Sequence, residues 1–86
     1  MDKCLLNDLK WRLCEIAQRE QDLYHLTELE YLLNLIDGFL IGYLDMSTES
    51  IKDFIESVIT VAIMQVRFDL LDYVKPLTKE ESFGKI

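Results

Sequence analysis

His25 is the only histidine in the chain and so the first residue to consider as a catalytic acid or base. A histidine base needs a nucleophile or a carboxylate held beside it, and Glu28 follows one helical turn later. Cys14 is a conceivable nucleophile. A cysteine–histidine pair also needs a third group that orients the imidazole and a turn of small residues around the thiol. The sequence offers neither, so we predict no catalytic site and no enzyme activity.

Metal binding is the second chemistry that these residue types suggest. Zinc sites take four ligands, mostly cysteine and histidine, and the chain has only Cys4, Cys14 and His25 of those types. Di-metal sites in helical bundles use Glu-x-x-His pairs, and the sequence contains none. Acidic residues such as Glu28 are more typical of a solvated face. We therefore expect no metal site and no cofactor.

The acidic side chains are concentrated in the middle of the chain. Residues 20–74 carry eleven acidic and two basic side chains, within a total net charge of −7. Such a surface attracts a basic protein and repels the phosphates of nucleic acid. We expect a basic protein partner and no direct nucleic-acid contact, although a solvated surface is the common alternative. The predicted contact residues are Glu30, Asp37, Asp45, Asp53 and Glu56.

Trp11 is the sixth predicted contact residue. It falls on the opposite side of its helix from the apolar stripe, between Lys10 and Arg12. Tryptophan and arginine are enriched among the residues that dominate binding energy at interfaces. Trp11 is therefore either an apolar anchor for a partner or a residue that the C-terminal segment, 75–86, folds back to cover.

The elements that position these residues are predicted to be helices. Half of the residues are apolar, and three glycines and one proline are too few for a turn-rich sheet protein. Apolar spacing predicts a first helix over residues 2–23. Thr27 followed by Glu30 matches a capping box, which predicts a second helix from about residue 28 to 44. Glycines at 38 and 42 indicate either close approach of another backbone or a helix end near residue 42.

A third long helix is predicted from a cap at Ser47 or Thr48 to Val74, where Pro76 ends it. Residues 58–63 are rich in β-branched side chains and also fit a buried strand, but the helical spacing continues on both sides. This part of the helix is apolar nearly all round. It therefore needs a second copy as a neighbour, or a break into two helices.

The expected fold is thus an all-α bundle of three long helices, or four if the last one breaks. It forms one helical domain over residues 1–76, followed by a loosely ordered tail over residues 77–86. The most apolar windows, 29–44 and 54–66, are interrupted by polar residues or too short to span a bilayer. The sequence contains no secretory signal. Its two cysteines lie too far apart on one helix to form a disulfide. We therefore expect a cytoplasmic protein.

One segment resembles a known family. Residues 32–54 run from a helix ending in Phe39-Leu40-Ile41-Gly42, through a short turn of Ser, Thr and acidic residues, into a helix with an early Phe54. This pattern, over about a quarter of the chain, is similar to one in bacterial immunity proteins of the colicin D type. The resemblance implies a helical bundle whose acidic residues occupy the basic active-site cleft of a ribonuclease toxin.

These observations predict an acidic binding protein that inhibits a basic nucleic-acid-processing protein by occupying its cleft. A bacterial immunity protein and a phage-encoded inhibitor both fit this description. The alternative is a homo-oligomeric structural, adaptor or chaperone-like subunit that pairs through its apolar third helix.

Overall fold

Four α-helices form the part of the chain that the structure, a computed structural model, describes: residues 3–80, with side chains up to residue 77. Their bounds are Lys3–Arg19 for α1, Leu23–Ile41 for α2, Thr48–Met64 for α3 and Leu70–Glu80 for α4. The all-α prediction is confirmed. The expected third long helix is broken into α3 and α4, so the four-helix form is the one observed. Residues 58–63 are helical.

The helices pack in a ring around one apolar core. α1 packs mainly against α2 and α4, and α3 packs mainly against the same two helices. Each helix contributes an apolar stripe, as the spacing predicts. Phe39 of α2 and Phe54 of α3 meet edge to face, with ring centroids 5.6 Å apart. The most deeply buried side chains are Leu6, Leu9, Leu13, Leu29, Leu32, Ile36, Ile51, Phe54, Val58, Leu70 and Leu77.

The second helix begins earlier than the capping box predicts. The Asp22 carboxylate accepts hydrogen bonds from the backbone N–H groups of Tyr24, at 2.8 Å, and His25, at 3.2 Å. Thr27 lies inside the helix, where its hydroxyl donates to the Leu23 carbonyl at 2.8 Å. The prediction of a cap at Thr27 is therefore wrong, because Asp22 satisfies the free N–H groups one turn earlier.

Asp22→Ala is expected to lower the free energy of unfolding by about 1 kcal/mol, since it removes the acceptor for two N–H groups at the start of α2. Urea denaturation followed by circular dichroism measures the change. Thr27→Ala is the matched control, and we expect it to have little effect. The reverse pattern would place the helix start at Thr27.

The glycines at the end of α2 serve the helix end and not a second backbone. Gly42 has φ +87°, in the left-handed region that glycine adopts without strain. The chain then turns back, and the Leu44 N–H donates to the Gly38 carbonyl at 3.0 Å. A Cβ on Gly38 would lie 2.8 Å from Leu44 Cδ1. The alternative of a helix end near residue 42 is thus the observed one.

The break between α3 and α4 centres on Val66, which has φ +55°. The Arg67 N–H donates to the Ala62 carbonyl at 2.7 Å, and the Val66 N–H donates to the Ile63 carbonyl at 3.2 Å. This pair of hydrogen bonds is the Schellman motif, in which Val66 takes the left-handed position that usually belongs to glycine. A branched side chain in that position is strained. Because residue 66 is a valine and not a glycine, the sequence contains no recognisable helix stop here.

Val66→Gly is expected to raise the free energy of unfolding by about 1 kcal/mol. It relieves the roughly 1–2 kcal/mol cost of left-handed backbone for an L-residue, less the entropy that glycine loses on folding. Little burial is lost, because Val66 is 71% exposed. Val66→Ala keeps the Cβ and should leave stability nearly unchanged in the same urea titration. Equal effects of the two changes would contradict the strain.

Pro76 does not end a helix, contrary to the prediction. It lies inside α4, because Leu70, Val74 and Leu77 form one buried stripe that continues past it. Interior proline costs about 3 kcal/mol, which this burial offsets. Residues 77–80 therefore extend the helix beyond the predicted domain boundary after residue 76. The rest of the predicted tail, residues 81–86, lies outside the described residues.

Candidate functional site

A groove runs along the surface between α2 and α3. It is made of three adjoining cavities of about 660, 190 and 380 Å³, and all three share Tyr31 as a lining residue. Asp53 and Ser57 of α3 line both the largest and the middle cavity. We call this feature the α2–α3 groove. The residues that line its largest cavity are Thr27, Glu28, Tyr31, Asp53, Glu56, Ser57, Thr60 and Val61.

The α2–α3 groove carries negative charge, and two of its carboxylates have no cationic partner within the described residues. Its described lining residues include the acids Glu28, Asp37, Asp53 and Glu56 but no lysine or arginine. Asp53 and Glu56 stand three residues apart on α3, where like charges repel each other. The ion pairs within residues 3–77 involve neither of them. Both carboxylates are exposed and available to a cation from outside.

Of the other predicted acids, Asp37 lines the cavity at the far end of the groove, whereas Glu30 and Asp45 line none of its cavities. Asp37 forms an ion pair with Lys10 of α1, with a 2.7 Å separation between the carboxylate oxygen and Nζ. The hydrogen bond that the Lys10 ammonium donates to Asp37 raises the pKa of Lys10. Glu30 lies two helical turns before Asp37 and so on the same flank of α2, towards α1. Asp45 is exposed in the α2–α3 connection. Three of the five predicted acids thus line the groove, and of these Asp37 is paired with a cation while Asp53 and Glu56 are not.

Trp11 is 65% exposed on α1, a helix that packs against α2 and α4 and does not line the α2–α3 groove. Trp11 and the groove acids therefore do not form one continuous patch. The described residues leave most of the indole uncovered. The segment expected to fold over it includes residues 81–86, which lie outside the described residues.

Tyr31 and Glu28 are groove residues that sequence reasoning did not select. They are three residues apart on one side of α2, facing Asp53 and Ser57 of α3. The missed signal is the pairing of two antiparallel helices, which brings the start of α2 beside the end of α3. In this antiparallel arrangement, Tyr31 and Glu28 of α2 lie on the flank of the helix pair that also carries Asp53 of α3.

A second cleft, of about 480 Å³, lies between α1 and α4 and contains a paired arginine. Arg12 donates through Nε to Asp69 at 2.8 Å, and a second guanidinium nitrogen lies 2.8 Å from the same oxygen. The hydrogen bond raises the pKa of Arg12. Glu15 lines the same cleft. Because an arginine lies among the carboxylates of this cleft, the cleft offers a basic partner less attraction than the groove does.

His25 belongs to a polar network that joins two loops. Gln65, only 9% exposed, donates to the His25 carbonyl and to the Glu28 carboxylate, both at 3.1 Å. Arg67 donates to Gln65 Oε1 at 2.9 Å and forms an ion pair with Glu20. The His25 imidazole lies 3.9 Å from Glu20. This network clamps the α3–α4 connection to the start of α2, so its evident role is structural.

No group of three potential metal-ligating side chains is found within the described residues. Cys4 and Cys14 are not joined by a disulfide, as the sequence predicts. No helix in the described part of the chain has the length and hydropathy required to cross a membrane.

Comparisons with protein-family models, with curated proteins and with solved structures find no match to this chain. The groove therefore has to be interpreted from its own geometry and charge.

Proposed function

We propose that this chain is an acidic helical inhibitor that binds a basic nucleic-acid-processing protein through its α2–α3 groove. The observation that carries the proposal is the pair Asp53 and Glu56, exposed beside Tyr31 in a groove whose described lining contains no basic residue. Such an arrangement costs repulsion in the free protein. A cation supplied by a partner removes that repulsion.

The groove combines charge with apolar surface, which favours a protein over a simple counterion. Tyr31 is more than half exposed, and Tyr43 and Ile41 extend the apolar surface at the far end of the groove. An arginine side chain from a partner stacks on a tyrosine face while its guanidinium meets the carboxylates. Tyrosine and a few charged contacts are typical of the residues that dominate binding at protein interfaces.

Inhibition follows from competition for one basic cleft. A cleft that binds nucleic acid is lined by lysine and arginine that neutralise phosphates. The acidic groove presents carboxylates to the same side chains and excludes the nucleic acid. Complementary charge also speeds the encounter, and this advantage falls as salt rises. An immunity protein or a phage-type inhibitor acts in this way, and the resemblance of residues 32–54 to colicin D-type immunity proteins belongs to this proposal.

The test begins with a search of the genes that adjoin the gene for this chain for a nuclease with a basic cleft, and it continues with an inhibition assay on that purified nuclease. Cleavage of a fluorescent nucleic acid is measured while the concentrations of chain and of nucleic acid are varied. We expect competitive inhibition that weakens as ionic strength increases. Inhibition that does not depend on nucleic-acid concentration, or no inhibition, would contradict occupation of the cleft.

A further inference from the structure

One end of the bundle exposes an unusual number of large apolar side chains. Two begin α2, two end α3, and two lie in the α3–α4 connection, each with between 55% and 77% of its surface exposed. The Gln65 network holds these segments at the same end of the molecule. We call this set the apolar end: Leu23, Tyr24, Ile63, Met64, Val66 and Phe68.

The conformation of Val66 indicates that the exposure of the apolar end is functional. It occupies a left-handed position where glycine would relieve strain, and its side chain contributes little to the core because most of it faces solvent. Backbone strain of this kind persists only where the surrounding structure enforces it, and strained residues cluster at functional sites. An exposed, strained valine between Met64 and Phe68 indicates that the side chain is used in a contact outside the monomer.

The charges at the apolar end identify the kind of partner. Glu20 is paired with Arg67 and Asp69 with Arg12, and the exposed Asp22 carboxylate accepts hydrogen bonds from two backbone N–H groups at the start of α2. Each of these carboxylates beside the apolar side chains therefore already has a partner. Two copies of a chain with net charge −7 repel each other over most of their surface. The apolar end is where two copies approach without bringing unpaired carboxylates together, whereas a basic partner gains nothing from it.

The exposed area is also of the right size. Large apolar side chains that are more than half exposed each offer on the order of 100 Å². The six together offer roughly 600 Å², the lower end of the area that each partner contributes to a standard interface. Since a two-fold axis brings the same patch of both copies together, no second surface is needed.

We propose that the apolar end is a docking surface for a second copy of this chain and that the protein forms a two-fold symmetric homodimer there. None of the six residues lines the α2–α3 groove. The dimer therefore leaves each groove available, and this proposal stands or falls independently of the inhibitor function.

Sedimentation equilibrium of the full chain tests the proposal. The unaltered protein is expected to be a dimer at ~100 µM and to remain one at high salt, because apolar burial is not screened. Phe68→Asp is expected to raise the dimer Kd at least about tenfold. Trp11→Asp, a matched change at an exposed aromatic on another face, should leave the Kd unchanged. A monomer at all concentrations, or equal effects of the two changes, would overturn the proposal.

Val66→Gly separates this role from a merely structural one. It is expected to make the monomer more resistant to urea while raising the dimer Kd by about tenfold. A purely structural valine would leave dimer dissociation untouched when the fold is stabilised. An unchanged Kd in a more stable variant would therefore remove Val66 from the interface and contradict the inference drawn from its strain.

Discussion

Phe54→Ala is expected to lower the free energy of unfolding by about 3–5 kcal/mol, the usual cost of removing a buried aromatic ring. Phe54 is only 2% exposed, and its ring meets Phe39 edge to face across the α2–α3 contact. The loss includes the transfer energy of the ring, the aromatic contact and the cavity left behind. A domain of this size has a total stability of only roughly 4–13 kcal/mol, so the variant is expected to lose much of its folded population.

Urea unfolding followed by circular dichroism measures this effect. Phe68→Ala is the matched control, because it makes the same chemical change at a phenylalanine that is 57% exposed. At a protein concentration low enough for the chain to be monomeric, we expect that control to change the stability by no more than about 0.5 kcal/mol. Similar losses for the two variants would mean that Phe54 is not a core residue of the folded chain.

The Phe39–Phe54 contact also connects the core to the candidate site. Both rings line the middle cavity of the α2–α3 groove, beside Tyr31 and Asp53. Side chains of the hydrophobic core therefore form the floor of the groove. Phe54→Leu, which retains most of the buried volume, should keep the fold while altering the shape of the groove, and so it separates a packing defect from a binding defect.

The apolar stripes of the helices were predictable from the sequence because burial imposes a helical period on it. Leu9 and Leu13 of α1, and Leu29 and Leu32 of α2, are buried as their spacing predicts. The break at Val66 was not predictable in this way. Helix ends are recognised by glycine or proline, and here a valine is held in a left-handed conformation by hydrogen bonds and by the clamp that Gln65 makes to the start of α2.

The candidate site was predicted only in part, for a related reason. Asp53 and Glu56 lie in the groove because their helical positions face α2, and short-range periodicity carries that information. The pairing of Asp37 with Lys10 depends on how α1 and α2 are packed, and charges separated by 27 residues do not reveal their partner in sequence. The contribution of Tyr31 likewise emerges only when α3 is placed beside it.

The double reversal Asp53→Lys with Glu56→Lys is expected to reduce the rate of association with the inhibited nuclease by about tenfold or more at low ionic strength. It replaces the two unpaired carboxylates of the α2–α3 groove with cations that repel a basic cleft. Both positions are exposed, so the fold should be retained, which circular dichroism verifies. Stopped-flow fluorescence measures the association rate. Neutral replacements, Asp53→Asn with Glu56→Gln, should reduce the association rate by an intermediate amount.

A second double reversal, Asp8→Lys with Glu15→Lys, changes the net charge by the same amount at exposed positions of α1. If attraction depends only on the total charge of the chain, the two double variants will associate equally slowly. If the groove is the contact surface, the association rate of the α1 variant will fall much less than that of the groove variant. The difference between the two rates will narrow as salt shortens the Debye length to about 3 Å at 1 M. The groove is thus distinguished from a uniformly acidic surface by position, because the amount of charge is held constant.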